Sequence, residues 1–174
     1  AWTEAVADTL EAQAELTAPQ LLRYTDAGEL GKQFWAAHPW LTGGRTLASR
    51  LGGPRPFGAE EPGKARESLQ AVLEGLVALH AAGHVHAALD PSAIFLFDSG
   101  EVRLAGLAPF PTYVRVPAGS SPAPSPVRAP ELAEDRDPRP ASDVYAAGAL
   151  IAHVLAGEPT TTAAATLPEP LRAN

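Results

Sequence analysis

The 174-residue chain contains no cysteine, so disulfides and thiolate metal sites are excluded outright. It has no basic excess either. Thirteen Lys and Arg stand against twenty Asp and Glu, a net charge of -7, which argues against non-specific binding to nucleic acid or anionic membranes. No apolar run approaches the ~20 residues that a membrane span needs, and no charged start leads into an apolar signal segment. A cytoplasmic protein without nucleic-acid or membrane partners is the expectation. Methionine is absent even at position 1, which suggests a processed chain or a fragment of a longer one. What is present is 45% hydrophobic and 19% charged, the profile of a folded domain of about the size of one core.

Local signals divide the chain into short elements. Thr3 to Leu16 reads as a helix capped by Thr3, with Val6, Leu10 and Leu16 at helical spacing. Leu21–Tyr24 and Gln33–Ala37 read as strands around a turn at Asp26-Ala-Gly28. After a turn at Thr42-Gly-Gly44 comes a short helical piece, Thr46–Leu51, and then a Gly- and Pro-rich loop from Gly52 to Gly63. Lys64 to Ala82 carries the clearest helical period, ended by Gly83. Ile94–Phe97 and Glu101–Leu104 flank a tight turn at Asp98-Ser-Gly100. Residues 108–130, rich in proline and serine, read as extended. Asp143 to Ala156 is apolar nearly all round, so it should be buried on most faces. Periodicity alone yields an α+β, helix-dominated domain.

Four stretches carry more. Leu79-His-Ala-Ala-Gly-His-Val-His86 and the following Ala87-Ala-Leu-Asp-Pro-Ser-Ala-Ile94 resemble the catalytic loop of protein kinases. Val102-Arg-Leu-Ala-Gly-Leu-Ala108 resembles the strand leading into their metal-binding D-F-G motif, and Ala129, Pro130 and Glu131 match the A-P-E that ends the activation segment. Asp143-Val-Tyr-Ala-Ala-Gly148 resembles the opening of the long buried helix of the larger lobe. The stretches are ordered and spaced as in the family, with eighteen residues from Ala88 to Gly106.

The resemblance, closest in kind to bacterial serine/threonine kinases, implies a kinase-like α+β fold truncated at both ends. Residues 1–158 would form the domain. Residues 1–41 would be a vestigial small lobe with hinge (one helix plus short strands), residues 42–158 an incomplete helical large lobe, and residues 159–174 a tail. By the resemblance, Ala88 replaces the carboxylate base, Ala93 the asparagine on one metal ion, and Gly106 the metal-binding aspartate; Asp90 replaces the catalytic-loop lysine. A methyl group accepts no proton, and Mg²⁺ demands oxygen ligands. The ATP-anchoring lysine and its glutamate partner (Thr9 aligns there) are not found. His86, Pro91, Ala129, Pro130, Glu131, Asp143 and Gly148 match architectural positions, the small ones among them setting backbone conformation or close packing.

The implied function is a catalytically inactive pseudokinase, a protein-binding, scaffolding or regulatory module with no cofactor and no metal. Two alternatives are a metal-independent nucleotide-binding switch and a non-kinase transferase on this fold. His38, Trp40 and Leu41 align with the gatekeeper and hinge. They would either rim a ligand pocket or, the favoured reading, plug a disused cleft. Spacing alone would allow His80, His84 and His86 a metal, but two of them match structural positions of the family. Ser121 and Ser125 precede prolines and could accept phosphate, although plain linker serines are the simpler reading. The apolar surface of the large lobe is expected to meet a protein partner, an active kinase or a second copy.

Overall fold

The computed structural model describes residues 16–31, 33–52, 57–105, 127–133 and 136–156. Residues 3–15 of the expected first helix, Thr9 among them, lie outside them, as do Gly106, Ser121, Ser125 and the 159–174 tail; Leu16, the expected last helical residue, is described and is not helical.

A hairpin comes first, but not in the expected register. Strands β1 (Asp26–Leu30) and β2 (Gln33–Ala37) pair antiparallel, with Asp26 opposite Ala37 and Leu30 opposite Gln33. Asp26-Ala-Gly28 is therefore strand rather than turn. Gly28 faces Trp35 so closely that a Cβ on it would lie 2.8 Å from the indole. The left-handed conformation that a tight turn demands falls at Gly31 instead (φ +66°). Leu21–Tyr24 is likewise no strand of a hairpin. Only Leu21 forms a bridge, parallel to Leu104, while Leu22 N–H donates to the Leu104 carbonyl at 2.8 Å.

A three-stranded antiparallel sheet holds the middle of the molecule: β3 (Arg45–Thr46), β4 (Ile94–Leu96) and β5 (Val102–Leu104), in that order. The turn between β4 and β5 closes at Gly100 (φ +87°), as Asp98-Ser-Gly100 predicts. Thr46 caps α1 (Leu47–Leu51), its hydroxyl accepting from Ser49 N–H at 3.2 Å. The segment expected to be a loop contains a further turn of helix, α2 (Phe57–Glu60). It persists because Phe57 is buried to 3% exposure, and Gly58 lets the backbone approach the last turns of the final helix.

Helix α3 (Pro62–Ala81) buries Ala65, Val72, Gly75, Leu76 and Leu79; the three- and four-residue spacing predicts Val72, Leu76 and Leu79, but Leu73, expected on the same stripe, is exposed. Gly75 faces β5; a Cβ there would lie 2.9 Å from Leu104. The helix ends in a Schellman motif, with Gly83 N–H on the His80 carbonyl (2.9 Å) and His84 N–H on the Leu79 carbonyl (3.1 Å). The short helix α4 (Pro130–Ala133) precedes α5 (Pro140–Ala156), whose core side carries Ala146, Ala147, Leu150 and Val154. The other side of α5 does not meet the expectation of burial all round. Val144, Tyr145 and Leu155 are exposed, and with Gly148, Ile151 and Ala152 they form one apolar stripe. No helix among the described residues is long and apolar enough to cross a membrane.

Candidate functional site

The loop between α3 and β4 is organised by one carboxylate. Asp143 lies in the first turn of α5 and is 1% exposed. Its Oδ2 accepts His86 N–H at 2.7 Å and its Oδ1 accepts Ala87 N–H at 2.8 Å, while His80 Nε2 donates to Oδ2 at 2.8 Å. A buried carboxylate survives only with such partners. The loop turns sharply here because Ala87 adopts a left-handed conformation (φ +61°). That conformation costs an L-residue about 1–2 kcal/mol, and Asp143 holds both amides of the bend.

His86 is fully buried and faces the other way. Its Nε2–H donates to the Ala105 carbonyl at 3.1 Å, and its Nδ1 accepts Ala88 N–H at 3.3 Å. Those two partners assign the neutral tautomer. Burial pushes its pKa below the ordinary histidine value, and the nearby Asp143 charge opposes the shift without reversing it. Ala105 N–H in turn donates to the Ala93 carbonyl at 2.8 Å. Ala93, Ala105 and His86 are thus joined through the backbone position that precedes Gly106.

Two alanines stand where the resemblance places catalytic and metal-binding side chains. Ala88 is exposed on the loop, and Ala93 ends a 3-10 turn, Pro91–Ala93. Asp90 caps that turn, its Oδ1 accepting Ser92 N–H at 2.8 Å and the Ser92 hydroxyl at 2.6 Å. That geometry gives Asp90 a local structural task. Pro91 is buried at the first position of the turn, where its missing N–H costs nothing. Among the described residues no three His, Asp or Glu side chains gather as a metal-ligand group.

The A-P-E match joins the same helix. Ala129 is fully buried, Pro130 opens α4, and Glu131 Oε1 accepts the Ser142 hydroxyl at 2.6 Å. Ser142 also accepts Arg139 N–H at 3.1 Å, closing the first turn of α5. The Ser142 hydrogen bond is the main reason that the Glu131 carboxyl is held below its usual pKa. Nothing in the sequence singled out Ser142; its neighbour Asp143 was the only available signal. Gly148 shows no close packing among the described residues, where a Cβ on it would meet nothing within 4 Å. It lies on the open stripe of α5, away from the core.

The residues that the resemblance aligns with a hinge sit apart from the loop. His38 Nδ1–H donates to the Pro39 carbonyl at 2.9 Å. Trp40 is 88% exposed and so plugs no cleft, contrary to the favoured expectation. Trp40 and Leu41 line a surface cavity of about 490 Å³ with Leu21, Leu22, Tyr24 and Phe97. Residues 86–93 of the loop contribute nothing to it.

No family model matches the chain. It is 33% identical over 155 residues to the serine/threonine-protein kinase PknL of Mycobacterium tuberculosis (strains CDC 1551 and H37Rv), and equally to PknL of Mycobacterium bovis. Each match covers 84% of this chain and 36% of the relative, so the chain spans about a third of the length of the curated relatives it matches. This similarity supports a kinase-like relationship, and the mixed helices and small antiparallel sheet are compatible with it.

Proposed function

We propose that the chain is a kinase-like domain without phosphotransfer activity that works by binding protein. One observation carries the reading. The loop resembling the catalytic loop keeps its supports, Asp143 on two amides and His86 on Ala105, yet presents an exposed methyl group at Ala88. Phosphoryl transfer depends on a carboxylate that orients the attacking hydroxyl and on oxygen-ligated metal ions. The alanines at 88 and 93, with Gly106 in the sequence, offer neither.

The apolar stripe of α5 supports the binding half of the reading. Val144 is 64% exposed and Tyr145 49%, on a helix whose opposite side is core. Contiguous apolar surface of this kind marks interfaces, and a second copy or an active kinase are its candidate occupants. Gly148 at the centre of the stripe would allow a partner to approach closely.

The test is a thermal-shift titration with ATP and ADP, with and without Mg²⁺ and Mn²⁺, beside a transfer assay with labelled ATP. Any ligand that binds only the folded state raises its Tm by mass action. The reading expects no transfer and no metal-dependent shift. A metal-dependent rise accompanied by transfer overturns it. A rise with nucleotide alone would favour the metal-independent nucleotide switch.

A further inference from the structure

Two neighbouring cavities flank the turn between β4 and β5, and their chemistries differ. The first, about 260 Å³, lies among α1, α2, the first turns of α3 and the Asp98–Glu101 turn. Phe57, Leu96 and Phe97 give it an apolar floor. Two of its cations are neutralised within the protein. Arg50 pairs with Glu61 and lies 4.0 Å from Glu60 and 5.0 Å from the centre of the Phe57 ring, and Lys64 bonds Glu61 at 2.6 Å. Glu101 pairs with Arg103. Glu67 and Asp98 remain on its wall against a single further cation, Arg45, and none of the three has an ion pair among the described residues. The unbalanced charge is negative, above an apolar floor. Such a site suits a long basic side chain, whose stem packs on the floor while its head meets the carboxylates.

The second cavity is the hinge cavity described above. It shares Phe97 and Glu101 with the first, so the two adjoin. Its lining sets Tyr24, Leu41 and Phe97 beside Arg23 and the Glu101–Arg103 pair, and Trp40 projects from its edge at 88% exposure. Tryptophan is the residue type most enriched among those that dominate binding energy at interfaces. A lone amine would fill only the first cavity, and a flat aromatic molecule only the second. An extended chain, advancing ~3.3 Å per residue, reaches both.

We infer that the paired cavities form a docking groove for an extended peptide segment carrying a lysine or arginine beside an apolar residue. The basic side chain enters between Glu67 and Asp98, and the apolar one packs against Tyr24 and Trp40. The inference rests on the binding reading above, because it gives that module a partner class. It uses a different surface from the α5 stripe.

The test is fluorescence anisotropy on the full chain, using a labelled peptide of about ten residues with paired lysines followed by paired leucines in a neutral background. A counterpart with glutamates in place of the lysines is the control. Glu67, Asp98 and Trp40 are all exposed, so their substitution leaves the fold intact, which an unchanged Tm verifies. The lysine peptide should bind and the glutamate peptide should not. A Glu67→Gln, Asp98→Asn double variant should weaken binding at least about fivefold and flatten its dependence on salt. Trp40→Ala should weaken it about tenfold. Equal binding of both peptides, unchanged binding by both variants, or no binding at millimolar peptide overturns the groove. The labelled-ATP assay on the same samples separates the two readings: transfer beside selective peptide binding removes the non-catalytic reading and leaves the groove standing.

Discussion

Replacing Asp143 with alanine removes the acceptor of two amides and of the His80 imidazole in one step. His86 and Ala87 are 0% and 4% exposed, so neither amide can turn to water without moving the loop. Each buried donor left without a partner costs about 1–3 kcal/mol. His80 is 20% exposed in its side chain and can rehydrate, so it adds little. Against this, the variant no longer buries a carboxylate, which returns part of the desolvation cost. The balance is a loss of about 2–5 kcal/mol, a large share of the ~5–15 kcal/mol that holds a typical domain together. Asp143→Asn keeps one acceptor oxygen but turns an amide donor toward the other contacts, so it should fall between alanine and wild type. Urea unfolding followed by circular dichroism gives the stability, and hydrogen exchange at the His86 and Ala87 amides gives the local effect. The hub account predicts that exchange at these two amides accelerates beyond the global loss, as Ala87 leaves its left-handed conformation. An alanine variant within ~0.5 kcal/mol of wild type, with both amides still protected, would refute the reasoning.

Two further predictions follow from the same helix and loop. Burial lowers the pKa of His86, and also that of His153, so the unfolded chain binds protons that the folded chain refuses. The stabilisation from His86 is therefore whole above the ordinary histidine value of about 6.5 and declines as pH falls below it, by at most about 1.4 kcal/mol per pH unit. NMR titration of the His86 ring should show it neutral below that value, and an ordinary titration would contradict the buried neutral tautomer. At Gly148 a Cβ meets nothing among the described residues, so Gly148→Ala should stabilise the isolated protein by about 0.5–1 kcal/mol through helix propensity. Thermal unfolding at low concentration measures it, and a loss of stability there would mean that the stripe is already covered.

The long helices were legible because their signals are local. Leu69, Val72, Leu76 and Leu79 recur with the helical period, and Gly83 supplies the left-handed residue that closes the Schellman motif. The Asp98-Ser-Gly100 turn was legible for the same reason. The first hairpin misled because two glycines compete. Gly28 looked like a turn residue, but the Trp35 ring opposite requires a small side chain there, and the turn passed to Gly31. α2 was hidden by its Gly- and Pro-rich setting, since only burial of Phe57 against distant residues rewards a four-residue helix.

The candidate site divides along the same line. Sequence by itself determined which chemistry is available: no cysteine, alanines at 88 and 93, glycine at 106, and the spaced motifs that resemble a kinase loop. Composition and order suffice for that, because folding adds no functional group to a side chain. Only the tertiary structure decided that Asp143 grips the bend at Ala87, that Ser142 takes Glu131, and that one side of α5 stays open while Trp40 stands in solvent. Those outcomes depend on which donors and apolar surfaces meet across 11 to 57 residues of chain, and no local pattern encodes such meetings.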